Sequence, residues 1–225
     1  MISASAAPAI TAYPARESRG QIRSVAAPTR AAAALAAGEP VVLLGDDGLG
    51  WLVSAADRAA TDSVGFLIRH GSGFVSVALT APACERLWLP PMTPFGRSGP
   101  AGAQRVAVDA ARGISTGISA ADRAHTARLL ADPDSGPDDF TRPGHVIPLL
   151  ARGGRWGSTE AAVALVASAG RPPAAVACAV VSARHPGEMA DADELEAFAS
   201  AHDLELTTSA QVAGCGWVGP TSRSA

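Results

Sequence analysis

The stretch Thr141-Arg142-Pro143-Gly144-His145-Val146-Ile147-Pro148-Leu149 decides how the rest of the chain is read. Its polar half predicts a loop and its apolar half a buried strand. Pro143 removes a backbone donor and biases Arg142 toward an extended conformation. Gly144 permits a tight turn or the close approach of a ligand. His145 falls where loop meets strand, and imidazole is the side chain best suited to give or take a proton near neutral pH. A structural turn with a satisfied histidine is the plainer alternative.

Two more glycine-punctuated stretches have the same build. Ile68-Arg69-His70-Gly71-Ser72-Gly73-Phe74-Val75 lies between an expected helix, 57–68, and an expected strand, 74–79. Gly113-Ile114-Ser115-Thr116-Gly117-Ile118-Ser119 precedes an expected helix over 120–130. Hydroxyls and free backbone N–H groups at a helix entrance can hold an anion, which makes Thr116 and Ser119 candidates; an N-cap is the simpler role. The remaining expected helices are 24–37, 82–87, 161–169 and 191–202. The remaining strands are 41–44, 51–56, 104–108, 173–181 and 204–207, with 209–212 starting a last turn. Strands alternating with helices predict an α/β fold.

The strings Arg69-His70-Gly71-Ser72-Gly73, Thr116-Gly117-Ile118-Ser119-Ala120-Ala121-Asp122-Arg123 and Arg142-Pro143-Gly144-His145-Val146-Ile147-Pro148-Leu149, in this order, resemble the 3,4-dihydroxy-2-butanone 4-phosphate synthase family of riboflavin biosynthesis. The resemblance covers about residues 25–213. It implies a three-layer α/β fold with a mixed, twisted sheet. The family converts ribulose 5-phosphate to a four-carbon phosphate and formate, uses magnesium, and builds its sites at a homodimer interface. It also implies that His145 matches the catalytically essential histidine, and that Arg155 and Thr159 match substrate contacts. His70, Ser72, Thr116, Ser119 and Arg142 fall in the matching strings and join the substrate-binding candidates.

The chain departs from the family at its chemical centre. After the strand 41–44 the family has a long acidic loop with a magnesium-binding glutamate. Here the turn is shorter and keeps only Asp46 and Asp47, which also fit a plain hairpin turn. In Arg155-Trp156-Gly157-Ser158-Thr159-Glu160, Ser158 stands where the family has its second metal ligand, a histidine. A serine hydroxyl is a poor ligand for a divalent cation. Cys178 is followed by Ala179 where the family has a catalytic glutamate.

These losses predict no bound metal and no other cofactor. The surviving hydrogen-bonding and cationic groups predict a small anionic substrate held by Arg155, Thr159, Arg142, Ser158, Thr116, Ser119, His70, Ser72 and Asp47, with His145 as acid or base. Elimination, isomerisation or cyclisation in a specialised pathway fits that set. A non-catalytic ligand-binding or regulatory protein is one alternative. A working synthase with its metal rebuilt on Asp46 and Asp47 is another.

Composition narrows the rest. The 225 residues are 48% hydrophobic and 17% charged, which suits one domain, expected at 24–213 between flexible tails at 1–23 and 214–225. A net charge of -3 without basic blocks argues against nucleic-acid binding. No apolar run reaches membrane-spanning length, and no signal peptide is evident. Cys84, Cys178 and Cys215 form neither a zinc pattern nor a disulfide framework, which leads to an expectation of a cytoplasmic protein.

Overall fold

The computed structural model describes residues 25–93, 103–152 and 156–214; both expected tails and Arg155 lie outside them, apart from Gly214. The elements run α1 (Pro28–Ala37), β1 (Val41–Leu44), β2 (Gly50–Ala55), α2 (Thr61–His70), β3 (Ser76–Leu79), α3 (Ala81–Arg86), β4 (Ala103–Gln104), β5 (Val108–Ala110), α4 (Ala120–Ala131), β6 (Phe140–Leu150), α5 (Ser158–Ser168), β7 (Ala174–Ala179), α6 (Ala192–Ala201), β8 (Leu206–Thr208) and α7 (Ser209–Ala213). Local chemistry sets many of their ends. Pro28 opens α1, where a missing N–H costs nothing, and Gly38 closes it at φ +92°. Thr80 and Asp191 cap α3 and α6 with their side chains.

The strands form a mixed sheet in the order β4-β6-β3-β7-β2-β1-β8. β3 runs parallel to β6 and β1 parallel to β8; β2 and β7 run antiparallel to their neighbours. Both faces are covered. On one, α2, α4 and α6 bury Leu67, Leu130 and Leu195 against Val77 and Val176. On the other, α1 and α5 bury Leu35 and Leu165 against Val41, Val53 and Ala175. Every residue of α5 from Glu160 to Val166 is buried, so its apolar composition reflects a helix enclosed on all sides. This is the three-layer α/β arrangement that the motifs imply.

Several boundaries differ from the sequence expectation. The helix expected from Asp57 starts at Thr61, after a 3-10 turn at Ala56–Arg58; Asp57 is turned instead to an ion pair with Arg171. The strand expected over 104–108 splits into β4 and β5, which pair with different parts of β6. The last turn is a short helix, α7, capped by Thr208.

The largest correction concerns the opening stretch, which is not a free loop. Phe140 to Leu150 is one strand. Its second half pairs with β3 and β4, and its first half with β5. Val108 pairs with Val146 but Asp109 pairs with Thr141, so Arg142 to His145 form a bulge opposite a single β5 step. Gly144 serves that bulge. A Cβ there would lie 2.0 Å from the carbonyl carbon of Val108. The close approach that its small size permits is to backbone.

Candidate active site

The bulge re-aims His145 toward a buried carboxylate, a use to which β-bulges are often put. Asp109, on β5, accepts the His145 backbone N–H at 2.9 Å through Oδ1 and meets the ring Nδ1 at 2.7 Å through Oδ2. Asp109 is 8% exposed at its side chain and His145 43%, so the carboxylate is enclosed while the far edge of the imidazole opens outward. Arg123 lies buried behind them and donates to the Gly73 carbonyl at 2.9 Å. Burial lowers its pKa, and the neighbouring Cys178 and Asp109 partly offset this.

The 115–119 loop wraps this dyad. Gly117 has φ +81°, and a Cβ on it would sit 2.2 Å from Asp109 Oδ2 and 2.8 Å from His145 Nδ1. The loop is held from behind by Asp122 of α4. That carboxylate accepts the Ser115 hydroxyl at 2.8 Å and the N–H groups of Ser115 and Gly117 at 3.2 and 3.1 Å. The Ser115 hydroxyl is the first cause of its lowered pKa; burial acts against it, and the backbone donors and Ser119 add to it. Ser119 accepts the Asp122 N–H at 3.0 Å, so its hydroxyl caps α4. Thr116 stays exposed on the loop's outer side.

Other predicted residues lie at the same end of the sheet. Ile147 is opposite Ser76, Ser76 opposite Ala177, and Ala179 opposite Trp51. His145 and Ala179, each two residues past the Ser76 row, therefore leave the sheet at one end. Ser72 reaches that end too. Its N–H donates to the Ala179 carbonyl at 2.7 Å and its hydroxyl lies 3.5 Å from the Cys178 sulfur. Asp47 and Ser158 meet there, their side-chain oxygens 3.5 Å apart over Gly45. Thr159 lines a small crevice with Ser158, Trp51, Leu149 and Ala177. β6 and β2 are separated by β3 and β7, three strand spacings, or about 14 Å.

Two candidates lie elsewhere. The Arg142 guanidinium donates to the carbonyls of Pro137, Phe140 and Leu87 at 2.8–3.2 Å. Those bonds clamp the base of the bulge, a structural role beside the substrate contact expected from the motif. His70 belongs to an aromatic cluster with Phe66, Phe198 and His202, its ring centroid 4.7 Å from that of His202. Burial lowers its pKa, and the nearby His202 and Arg69 lower it further. Asp109, Asp122 and Arg123 were not among the sequence candidates. Asp122 and Arg123 stood inside a quoted motif; Asp109, in Val108-Asp109-Ala110, carries no local signal.

The match to the family model for 3,4-dihydroxy-2-butanone 4-phosphate synthase runs over residues 29–214. This chain belongs to that family. It is 49% identical over 190 residues to the riboflavin biosynthesis protein RibBA of Nocardia farcinica, covering 81% of this chain and 46% of that protein. The RibBA of Mycobacterium tuberculosis is 47% identical over 190 residues, covering 81% of this chain and 45% of its own. The chain thus spans about half the length of these relatives. Among solved structures, the 3,4-dihydroxy-2-butanone 4-phosphate synthase of Candida albicans superposes with a TM-score of 0.78 at 36% identity, covering 85% of this chain and 97% of that one. A synthase in complex with two magnesium ions gives 0.78 at 35% identity, with 84% and 96% covered.

The residues here do not fit such ions. Asp46 accepts a hydrogen bond from Ser209 of α7. Asp47 accepts the Leu49 N–H at 3.1 Å, closing its own turn. Ser158 offers a neutral hydroxyl and Ala179 nothing. Among the described residues no three His, Cys, Asp or Glu side chains gather where a cation could be held. The segments 94–102 and 153–155 contain no such residue in their sequence. Also among the described residues, no helix is long and apolar enough to cross a membrane.

Proposed function

We propose that this member of the synthase family carries out acid–base chemistry on a small anionic substrate without a divalent metal, with His145 as the group that gives and takes the proton. The His145–Asp109 dyad carries this reading. An imidazole oriented on one edge and open on the other is the arrangement that proton transfer requires. Ser158, Thr116 and Ser72 offer hydroxyl groups at the same end for a phosphate or carboxylate, and the sequence motif adds Thr159 and Arg155 to the candidates. Moving a proton between carbon and oxygen next to a carbonyl needs only such a base and such donors. Isomerisation and elimination are therefore within reach of these residues.

A homodimer is part of the proposal. Within one chain β6, which carries His145, and β2, which leads from the Asp47 turn, lie about 14 Å apart. Phe74 and Ile118, beside the dyad, are 53% and 52% exposed. A second copy facing this end would cover them and bring the two subsites together. Sedimentation at micromolar concentration is expected to show a dimer; a monomer removes this part.

A second reading is the family's own activity with a metal recruited at Asp47. The 49% identity and the meeting of Asp47 with Ser158 favour it. One experiment separates the readings. Ribulose 5-phosphate is incubated with the protein in deuterated water, with and without magnesium, and followed by NMR. Deuterium entering next to the carbonyl without metal, and no such entry with His145→Ala, is the expected result. Formate release that needs magnesium and is lost in Asp47→Asn supports the second reading. Neither signal, on this compound or on related sugar phosphates and keto acids, leaves a ligand-binding protein.

A further inference from the structure

Asp109 does more than fill the bulge. It sends two different oxygens to two donors on one residue: Oδ1 to the His145 backbone N–H at 2.9 Å, and Oδ2 to ring Nδ1 at 2.7 Å. A carboxylate only accepts, so Nδ1 must carry the hydrogen and Nε2 is left with the lone pair. The surroundings are shaped for this contact. Gly117 leaves room that any Cβ would take from Oδ2 and Nδ1, and Gly144 lets β5 close onto the bulge. Thr141 donates to the Asp109 carbonyl at 3.4 Å, and the Arg123 guanidinium supplies a positive charge behind the carboxylate.

We propose that Asp109 is the positioning residue of this site: it fixes the tautomer of His145, so that Nε2 alone exchanges protons with the substrate. The inference rests on the acid–base reading of His145 and makes a prediction that needs no substrate. In Asp109→Asn the shape is kept, but the side chain has one accepting oxygen and one donating nitrogen. The backbone N–H of His145 cannot change its polarity, so the oxygen stays with it. The amide nitrogen then faces Nδ1 and donates to it. Nδ1 must give up its hydrogen, and the ring carries it on Nε2, where it can no longer act as a base in the neutral state.

The test is a long-range proton–nitrogen NMR correlation of the full chain, with His145→Gln identifying the ring signals. The spectrum is read at a pH where a titration shows the ring to be neutral. The wild-type ring is expected to carry its hydrogen on Nδ1, and the Asp109→Asn ring on Nε2. A wild-type ring protonated on Nε2 overturns the proposal, and this measurement does not need Asp109→Asn to fold. An Asp109→Asn ring that keeps the wild-type tautomer overturns it as well. If the proton-exchange reaction is found, Asp109→Asn lowers its turnover by about 10²–10⁴-fold with KM little changed. If no reaction is found, the acid–base reading fails while the tautomers still decide the role of Asp109.

Discussion

The two halves of the candidate site are built to different standards. Around His145, a bulge, two glycines without room for a Cβ, a buried carboxylate and a capped helix converge on one imidazole. Around Ser158, Asp47 answers with one long 3.5 Å contact, and Asp46 is turned away to Ser209. The chemistry of each task explains the difference. Proton transfer needs one ring held in one tautomer, which a few short hydrogen bonds achieve. Holding a divalent cation needs several oxygen or nitrogen ligands aimed at one point, and losing any of them weakens the site. The short hydrogen bonds of the first kind are present around His145, and among the described residues no cluster of the second kind gathers around Ser158.

The sharpest way to break this contrast is His145→Ala. With the true substrate, turnover is expected to fall by about 10²–10⁴-fold while ligand affinity stays nearly unchanged. Full turnover in single-turnover kinetics would move the acid–base role elsewhere. The next effect concerns the frame. In Gly144→Ala the new methyl would sit 2.0–2.4 Å from the Val108 and Asp109 backbone. Neither strand can yield without losing pairing, so urea denaturation should show a loss of about 2–4 kcal/mol. Gly48→Ala, in the Asp47 turn, has open space around its Cβ and only its φ of +76° to oppose it. That variant should lose about 1–2 kcal/mol. Equal losses at the two glycines would erase the distinction between the two halves.

How much of this was legible in the sequence follows from how local each signal is. The layers and most helices were, because an apolar run such as Ala161–Val166 or a helix-ending glycine such as Gly38 marks its element within a few residues. His145 was singled out for the same reason, standing in a motif. The bulge was not, because it exists only when Val108-Asp109 pairs across the sheet with residues 141–146. Asp109 is one aspartate among many until that register is set. Arg142 shows the same limit: its motif suggested a substrate contact, and its structural bonds reach carbonyls that come partly from Leu87, more than fifty residues earlier. His70 likewise meets its aromatic partners, Phe198 and His202, only once α2 and α6 pack.

Asp122 offers a gentler test of the well-built half. Its pKa is lowered, first by the Ser115 hydroxyl and then by the N–H groups of Ser115 and Gly117, against the opposing effect of burial. A carboxylate whose folded pKa lies below its unfolded one stabilises the fold fully above the unfolded value, about 3.9. That contribution disappears as the pH falls through the lower folded value. Acid unfolding of Asp122→Asn should therefore be less steep than that of the wild type below about pH 4, and its stability at pH 7 should be lower. An unchanged acid limb would mean that the loop holds itself without Asp122.

The smallest effect is expected at Asp47, and its smallness is the point. Asp47 is exposed, caps its own turn through the Leu49 N–H, and meets Ser158 at the limit of a hydrogen bond. The Oδ1 atom makes both contacts, and an asparagine can present the same oxygen to Leu49. Asp47→Asn should therefore change stability by no more than about 0.5 kcal/mol. A carboxylate that served as a magnesium ligand would behave otherwise. Its removal would strongly weaken cation binding, because a neutral amide oxygen would replace the carboxylate that meets Ser158. Titration calorimetry with magnesium on the wild type and on Asp47→Asn reads this directly. Flat traces for both proteins keep the two halves distinct, one built for proton transfer and one without a cation. A stoichiometric wild-type signal that vanishes in the variant would show that the turn had been rebuilt as a metal site, and the family's own synthase chemistry would then be the better account of the whole site.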